Sequence, residues 1–443
     1  MRIHATLTHF SAAAALAGVC SLPAAAQTPL TLDDAIARAL KQNPAARAAE
    51  AGRTEASERA RQARAGWMPR VDVTETWQRG NQPVFVFGSI LAQRDFTEAN
   101  FAIDALNHPD PVSNYRTGIS VEQLVFDGAR TRSANRSAAI GEAIAEAGSR
   151  DTAAMLRLGV TRAFGDVLMA QATRAAASAA LESAEEDLRR AERRRDAGLA
   201  TEADVLTVKV HLAQIRERQI IAASRETVAR LQLNEAMGEP LDARFDVQAP
   251  ATAAVTTPPA ADLEADALAN RPDVARAAAQ ERLAGEGIAS AKSAFYPQAA
   301  VQGVYEFNGG TFSDRVSAWT IGAVFRWNLF GGFADSARLG EAKAATARAR
   351  AERERQESAA RVDVRAAAAR LDEARARAEV GRLAVAQARE SQRIVRDRFD
   401  AGLAPINDLL RSAMAVLEAD SHQTAAAVDV LISAALLDRA RGR

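Results

Sequence analysis

The sequence DAGLATEADVL at residues 196–206 recurs as DAGLAPINDLL at residues 400–410, which is 204 positions further along the chain. The first five residues are identical, and an aspartate follows in the same register in both copies. A match at one fixed offset indicates an internal duplication. Gly198 and Gly402 each follow a long helix-forming run, where the left-handed residue that ends a helix is expected. The stretch therefore predicts two long helical hairpins, one in each half of the chain.

Further matches extend the repeat beyond the hairpins. Residues 65–69 (AGWMP) align with residues 293–297 (SAFYP) at an offset of 228, and FDG before the first long run aligns with FGG before the second at the offset of 204. The offsets differ by 24, so the first copy carries a 24-residue insertion between Pro69 and Gly118. Each copy is predicted to run helix, strand, strand, long helix, turn, helix. We divide the chain into a leader at 1–26, a first repeat at 27–238, a Pro-rich linker or equatorial segment at 239–262, and a second repeat at 263–443.

Two stretches, 112–239 and 298–404, contain no proline. Because proline breaks helix interiors, whereas alanine, arginine and glutamate favour helix, they predict very long helices. We place these at about 129–196 and 333–400, which at 1.5 Å per residue gives about 100 Å each. The return helix of each copy is shorter than the long one by about the length of the helix before its first strand. We expect these two shorter helices to stack end to end along the long one.

Aromatic residues make up 5% of the chain and cluster in two windows, 67–126 and 295–333. Within these windows apolar and polar residues alternate, as in Trp319 and Phe325 against Arg326, which is the period of a strand with two different faces. The pattern predicts four strands, at about 69–80, 115–126, 297–308 and 317–330.

An antiparallel sheet packed on a soluble core would show the same alternation. However, no other apolar segment remains to cover such a sheet, and strands of about ten residues suit tilted transmembrane strands with aromatic girdles. We therefore favour a sheet with one lipid-facing side. The expected membrane-facing aromatic residues are Trp77, Tyr305, Trp319, Phe325 and Trp327.

Charge and the first residues limit the class of protein. The chain has 56 basic and 56 acidic residues, which gives no general attraction to nucleic acid. Residues 1–26 combine Arg2, an apolar segment and an Ala-Ala-Ala end, which is typical of a secretory signal peptide. Cys20, the single cysteine, falls within this segment, so we expect a mature chain without thiols. No later apolar run reaches the roughly 18 residues of a membrane helix, so entry into a membrane would have to use strands.

Residues suited to catalysis are scarce. His108, His211 and His422 are far apart and lack cysteine partners or metal-ligand spacing. Phosphate-binding glycine loops and nucleophile elbows do not occur in the sequence. We expect no enzyme activity, no metal and no cofactor, so any transport would draw its energy from a partner.

Four strands are too few to close a membrane sheet. An open edge in hydrocarbon leaves backbone groups unpaired, and the smallest known barrels need about eight strands. A dimer would supply eight and a trimer twelve. Because an eight-stranded barrel fills with its own side chains, a conducting function favours the trimer.

Together, the leader, the duplicated helix and strand order, the aromatic-Pro and Phe-Asp-Gly motifs and the paired Ala-Gly-Leu-Ala turns resemble the outer-membrane efflux protein family, of which TolC is the type. The resemblance implies a mixed α and β fold. Long antiparallel hairpins would form a periplasmic tunnel, and four strands per chain would enter a shared twelve-stranded transmembrane barrel. It also implies a homotrimer in the outer membrane of a Gram-negative bacterium. This would be the passive exit duct of a tripartite efflux or type I secretion system, joined to a periplasmic adaptor and an inner-membrane pump of the RND, ABC or MFS type. The segment 83–96 is similar to a longer surface loop of one branch of the family.

The two turns are the first candidate site. Turn chemistry alone explains the glycines, Thr201 and Pro405, which suit helix ends and starts. It does not explain an apolar residue at each exposed tip. The resemblance implies that the tips meet the adaptor, with the leucines as apolar anchors. The expected docking residues are Gly198, Leu199, Ala200, Gly402, Leu403 and Ala404.

The first turn after each tip holds the second candidate site, a periplasmic gate formed by Asp204, Asp408 and Arg411. A carboxylate in this position also stabilises a helix start through the helix dipole, so capping remains the alternative. The resemblance implies that aspartates here can line the constriction and select cations. This sequence departs from the best-known family pattern, since Arg411 stands at the place of a second acidic residue, three positions after Asp408, and Phe399 replaces an aromatic hydroxyl before the tip. Arg411 could instead pair with Asp408.

Two other classes of protein share some of these features. A periplasmic adaptor also has a long helical hairpin, but it would need a β-rich lipoyl-like module. A soluble coiled-coil scaffold would share the hairpins, but not the duplicated aromatic strands.

Overall fold

A computed structural model describes residues 28–249 and 258–443. The predicted leader at 1–26, with Cys20, and residues 250–257 of the predicted linker lie outside the described residues. The first copy contains β1 (Thr28–Leu30), α1 (Leu32–Gln42), α2 (Pro44–Ala65), β2 (Arg70–Gly80), α3 (Pro83–Gln93), a 3₁₀ turn (Glu98–Phe101), α4 (Ile103–Asn107), β3 (Val112–Phe126), α5 (Arg130–Asp196), α6 (Glu202–Met237) and β4 (Phe245–Val247). The second contains α7 (Ala260–Asn270), α8 (Pro272–Ser293), β5 (Gln298–Gly309), β6 (Val316–Arg326), α9 (Ala334–Asp400) and α10 (Ile406–Ala440).

Both predicted long helices are present. Helices α5 and α9 have 67 residues each, so each is about 100 Å long at 1.5 Å per residue. Their exposed faces carry acid–arginine pairs one turn apart, such as Arg393 between Glu390 and Asp397 at 2.8 and 2.9 Å. Pairs of this kind add a few tenths of a kcal/mol each to a helix. We call α5 with α6 the first hairpin and α9 with α10 the second hairpin.

The shorter helices stack end to end along the long ones, as expected. Helices α2 and α6 both pack on α5, while α8 and α10 both pack between α5 and α9. Gly238, with φ +76°, ends α6 so close to α2 that a Cβ there would lie 2.8 Å from Asn43 Cα. Gly442, with φ +81°, ends α10, and a Cβ there would lie 2.4 Å from the carbonyl carbon of Asn270. Only glycine fits both the close approach and the left-handed backbone at these two joints.

Strands β2, β3, β5 and β6 form one antiparallel sheet in that order, with β2 and β6 at its edges. Since side chains alternate along a strand, the register decides which residues share a face. The pairing rows Val73–Ile119, Ile119–Tyr305 and Tyr305–Trp319 place the apolar positions of all four strands on one side. We call this the apolar face. The opposite, polar face carries Asp72, Arg116, Glu122, Gln302, Glu306 and Arg326.

Two strand boundaries differ from the prediction. Strand β6 ends at Arg326 and not at residue 330, because Arg326 pairs with Gln298 and the residue before Gln298 is Pro297, which has no N–H to continue the ladder. Strand β3 begins at Val112, three residues before the predicted start at 115, because β2 is long enough for Gly80 to pair with Val112.

The segment predicted as a linker or equatorial segment at 239–262 contains regular elements. Strand β4 pairs in parallel with β1, and α7 already begins at Ala260. Leu30 at the end of β1 is fully buried in an apolar cluster with Phe164, Leu233 and Met237 from the first hairpin. This pairing is not visible within the segment itself, since the partner strand of β4 lies more than two hundred residues earlier in the chain.

Residues 81–111, between β2 and β3, form the insert that the repeat comparison predicts, and they fold as α3, the 3₁₀ turn and α4. Helix α3 packs on β3, β5 and β6. In the described part of the chain, no helix combines the length and the hydropathy needed to cross a membrane.

Candidate functional site

Both hairpin tips have the same backbone. In the first, Gly198 has φ +72°, its N–H donates to Arg195 O at 2.9 Å, and the N–H of Leu199 donates to Arg194 O at 2.8 Å. The second tip repeats these bonds, from Gly402 at 3.0 Å and Leu403 at 2.8 Å. This nested pair of bonds is the Schellman motif, which satisfies the last carbonyls of a helix. The repeated sequence thus encodes one turn twice.

The leucines at the tips are not part of what holds the turns. Leu199 and Leu403 are each 70% exposed, although a residue at this point of a Schellman motif often packs back on the helix. Ala200 and Ala404 next to them are half-buried. Each tip therefore presents one large apolar side chain to the surroundings.

The two tips are joined to each other within the chain. Arg190 on the first hairpin donates to both carboxylate oxygens of Asp400, at 2.9 and 3.1 Å. Arg194 donates to Phe399 O at 3.0 Å, and its guanidinium carbon lies 4.9 Å from the centre of the Phe399 ring. Beneath these contacts is a shared apolar cluster of Ala191, Val205, Val208, Phe399, Ile406, Leu409 and Leu410. The tips therefore form one surface.

Asp204 is engaged in capping. Its carboxylate accepts hydrogen bonds from the N–H of Thr201 at 2.9 Å and from the Thr201 hydroxyl at 2.8 Å. The Thr201 hydroxyl in turn accepts from the N–H of Asp204 at 3.2 Å, which completes a capping box. These two bonds from Thr201, the backbone one first, lower the pKa of Asp204. The capping alternative thus accounts for this aspartate.

Asp408 occupies the same place without that partner. Pro405 stands where Thr201 stands in the first copy, and it has neither an N–H nor a hydroxyl to donate. The contact of Asp408 is Arg411 Nη1 at 3.5 Å, and the Arg411 side chain is 80% exposed. A pair this open to solvent contributes little to stability. Asp408 and Arg411 are therefore available to a solute or a partner.

Sequence reasoning missed a polar cavity that lies about three helical turns from the tips. It has a volume of about 290 Å³ and lies between the two hairpins, lined by Asp187, His211 and Arg396 among others. Asp187 is 4% exposed, and burial raises its pKa, while Arg396 opposes that shift. Burial, together with the charge of Arg218, lowers the pKa of His211. No local motif marks these residues, because the cavity forms where four helices from distant parts of the chain meet.

Four of the five aromatic residues predicted to face a membrane lie on the apolar face. Trp77, Tyr305, Trp319 and Phe325 are between 43% and 71% exposed. Trp327 lies beyond the end of β6, and its indole N–H donates to Phe295 O at 3.2 Å. It therefore lies at the junction between the sheet and the helices.

The three histidines within the described ranges do not form a site together. His108 pairs with Asp104, His422 pairs with Glu418, and His211 lines the cavity between the hairpins. Across 28–249 and 258–443, no group of three histidine, cysteine or acidic side chains is placed to hold a metal ion.

Comparisons with known proteins agree with this architecture. A family model described as "Outer membrane efflux protein" matches residues 35–239 and 263–443. The Pyoverdine export outer membrane protein OpmQ of Pseudomonas aeruginosa is 29% identical over 196 residues, which cover 44% of this chain and 41% of that protein. The matched part is thus less than half of the relative's length.

Two solved structures share the fold. The Campylobacter jejuni CmeC outer membrane channel superposes with a TM-score of 0.81 at 16% identity, covering 93% of this chain and 85% of the other. The outer membrane protein VceC of Vibrio cholerae gives a TM-score of 0.77 at 19% identity, covering 93% and 96%. The matching family is one of outer membrane efflux proteins and not of enzymes, in agreement with the prediction that the chain is no enzyme. By its duplicated sequence, its fold and the family model that matches most of its length, the chain belongs to the outer membrane efflux protein family.

Proposed function

We propose that three copies of this chain form a channel through the outer membrane and the periplasm. It would be the passive exit duct of a tripartite efflux or secretion system. The observation that carries the proposal is the matched order of strands and helices. The strands follow the order β2, β3, β5, β6, and the helices that continue from them follow the order α2, α5, α8, α9. In the half of the helical region that ends at the tips, α6 and α10 take the places of α2 and α8.

Each protomer is thus a ribbon four elements wide, with the same two open edges along its length. One edge consists of β2, α2 and α6, and the other of β6 and α9. Two different edges that fit each other generate a closed ring by a head-to-tail interface. A sheet placed in hydrocarbon would also have to pair both edges, since an unpaired backbone group costs several kcal/mol there.

Apolar side chains along both helical edges support this closure. On α6 they follow the spacing of a helix face, as in Leu206, Val210 and Ile220, which are 53%, 60% and 70% exposed. Helix α9 carries Val380 and Leu383, which are 67% and 48% exposed. Heptad-like stripes of this kind pack helices against one another. Three ribbons would give twelve strands, which leaves room for a channel.

The two ends of the proposed duct indicate which partners it would contact. The apolar face would contact outer-membrane lipid, and the joined tips with Leu199 and Leu403 would meet the tips of a periplasmic adaptor. An inner-membrane pump of the RND, ABC or MFS type would supply the energy. Asp408 and Arg411 would line the constriction at this end, whereas Asp204 would serve as a cap.

The alternatives of a periplasmic adaptor or a coiled-coil scaffold leave the sheet unexplained. Neither class has a use for a four-stranded sheet whose apolar face exposes Trp77 and Trp319 by 59% and 71%.

The test is the mass of the particle extracted in mild detergent from outer-membrane fractions, measured by native mass spectrometry. We expect three chains per particle. Val380→Asp on the α9 edge should break the ring. The matched control is Met155→Asp on α5, which is 51% exposed but lies away from both edges. A monomeric or dimeric wild-type particle would overturn the proposal.

A further inference from the structure

The insert, residues 81–111, lies against the polar face of the sheet. Gln93 at the end of α3 donates from Nε2 to Asn114 Oδ1 at 3.0 Å and to Ser113 O at 2.9 Å. Asn114 Nδ2 donates in turn to Asn308 Oδ1 at 3.1 Å. The three amide side chains are 8%, 8% and 2% exposed. Because a buried amide is stable only when it is hydrogen-bonded, this chain of bonds fixes α3 over β3 and β5.

A second contact ties the insert to the far strand. Arg94, with φ +58°, ends α3 in the left-handed conformation and donates from Nη2 to Ser317 O of β6 at 3.0 Å. Near the beginning of α3, the Phe85 ring lies 3.7 Å from where a Cβ of Gly80 would be. The insert therefore spans the sheet from the end of β2 to the start of β6.

Large apolar side chains are exposed on the free surface of the insert, beside charged ones such as Asp104. Val84, Leu91, Phe101 and Ile103 are 80%, 56%, 64% and 78% exposed. Behind them, the ring of Phe96 packs edge-on against Phe87 and Phe101, with centroid distances of 4.8 and 5.1 Å. The segment is thus a preformed apolar body that leaves four large side chains uncovered.

We propose that the insert is an apolar constriction inside the outer mouth of the channel, where its uncovered side chains pack against the equivalent inserts of the two other protomers. This inference rests on the proposed trimer, in which the polar face of the sheet is the channel wall. An element on that face is then enclosed by the ring and not by lipid. Lipid is excluded as the cover, since the apolar face is the opposite one.

Within the insert, helix α3 is the part whose composition fits contact with copies of itself. Helix α3, with the sequence PVFVFGSILAQ, carries no charged residue. Identical segments that meet around an axis repel each other if they are charged, whereas apolar ones gain from the burial of their surface. A ring of apolar side chains also gates by dewetting, because it holds no hydrogen-bond partners for a hydrated ion. The mouth would therefore pass bulky amphipathic solutes pushed from inside and exclude hydrated solutes from outside.

Accessibility of the channel wall tests the inference independently of the periplasmic end. Ser120→Cys, in a Cys20→Ser background, places a thiol on the polar face deeper than the insert. Intact cells are treated from outside with a membrane-impermeant maleimide. We expect slow labelling with the native insert and labelling at least about tenfold faster with Leu91→Asn and Ile103→Asn together, since polar side chains abolish a dewetting gate.

The matched control is Phe312→Asn. Phe312 is a 61% exposed aromatic residue on the loop between β5 and β6, stacked under Arg315 at 4.1 Å and edge-on to Tyr115 of the apolar face, with ring centroids 6.4 Å apart. This change should leave the labelling of Ser120→Cys unaltered. Should the double variant fail to assemble, Ile103→Asn alone, a change at a 78% exposed position, serves in its place.

Cross-linking tests the contact between copies. Ile103→Cys should form disulfide-linked pairs of chains under mild oxidation, and Phe312→Cys should form none. Intact trimers in which Ser120→Cys labels equally fast with either insert, or in which Ile103→Cys gives no linked pairs, would overturn this inference and leave the channel standing. Particles that contain fewer than three chains would overturn the proposed function instead.

Discussion

The two hairpin tips share a backbone but differ in what their aspartates do. Asp204 is held by Thr201 in a capping box, whereas Asp408 follows Pro405 and contacts Arg411 at 3.5 Å. The turn itself is encoded by the glycine and its neighbours, which are identical in both copies. Comparison of the two copies therefore separates the residues that form the turn from the residues that one copy can use for another role. In this chain Asp408 at the second tip is the carboxylate that is not held in a cap.

Replacing both tip leucines should have the largest effect, because it removes the feature that the tips share and that folding does not use. Leu199→Asp with Leu403→Asp should abolish efflux, since an apolar hot spot is worth about 2 kcal/mol or more, or roughly thirtyfold in affinity. The measurements are export by cells and the binding of the proposed periplasmic adaptor to the purified protein. Leu241→Asp, at a 57% exposed position remote from the tips, is the control. Normal export by the double variant would show that the tip leucines do not dock a partner.

Replacing either tip glycine should have the next largest effect, of equal size at both tips. Gly198→Ala and Gly402→Ala each force a side chain into the left-handed region, which costs about 1–2 kcal/mol. At Gly198 no neighbour lies within 4 Å of the new Cβ, and at Gly402 the nearest atom, Arg194 Nη2, is 3.9 Å away. The strained backbone alone therefore determines the loss of stability. Hydrogen exchange of the amides at the start of α6 and α10 reports it. Clearly unequal losses would show that the two turns are not equivalent.

Removing the helix cap should affect the two tips differently. Thr201→Ala should destabilise the start of α6 by about 1 kcal/mol, while Pro405→Ala should change α10 little, because Pro405 makes no side-chain cap. The hydrogen bonds from Thr201 lower the pKa of Asp204, so this stabilisation is present above the ordinary pKa of an aspartate. It is lost as the pH falls through the lowered value in the folded state. Hydrogen exchange measured against pH checks both the size and the direction.

The smallest expected effect is on ion preference. Asp408→Asn should lower the cation preference of single channels by on the order of twofold, as expected when a ring of carboxylates is removed from a pore. Asp204→Asn should leave the preference unchanged, because that carboxylate is committed to Thr201. Reversal potentials in a salt gradient measure both. A change with Asp204→Asn alone would exchange the roles assigned to the two aspartates.

Much of the fold follows from local patterns in the sequence. Repeats at fixed offsets predict the duplication, runs without proline predict the long helices, and alternation predicts which residues share a sheet face. The excess length predicted for β6 has a non-local cause, since its end is set by Pro297, which comes just before the neighbouring strand. Pairing of this kind is not visible within a single strand.

The site was predictable only where the chain itself brings residues together. The tip turns and the capping by Thr201 are local, so their sequence is enough. The contacts of Arg190 and Arg194 join residues more than two hundred positions apart, and Asp187 becomes buried only when four helices meet. The fold of the insert against the polar face also depends on amides from three segments.

The two glycine joints require the lengths of the shorter helices to match the length of the long helix beside them. In the first copy α2 and α6, with 22 and 36 residues, abut at Gly238 beside a long helix of 67 residues, and the second copy repeats this with 22 and 35 residues beside 67. A residue added to a return helix alone would push the joint apart or rotate every contact beyond it. Relatives with longer or shorter ducts should therefore differ by matched insertions on both sides of a hairpin, in whole turns of helix, and in both copies at once.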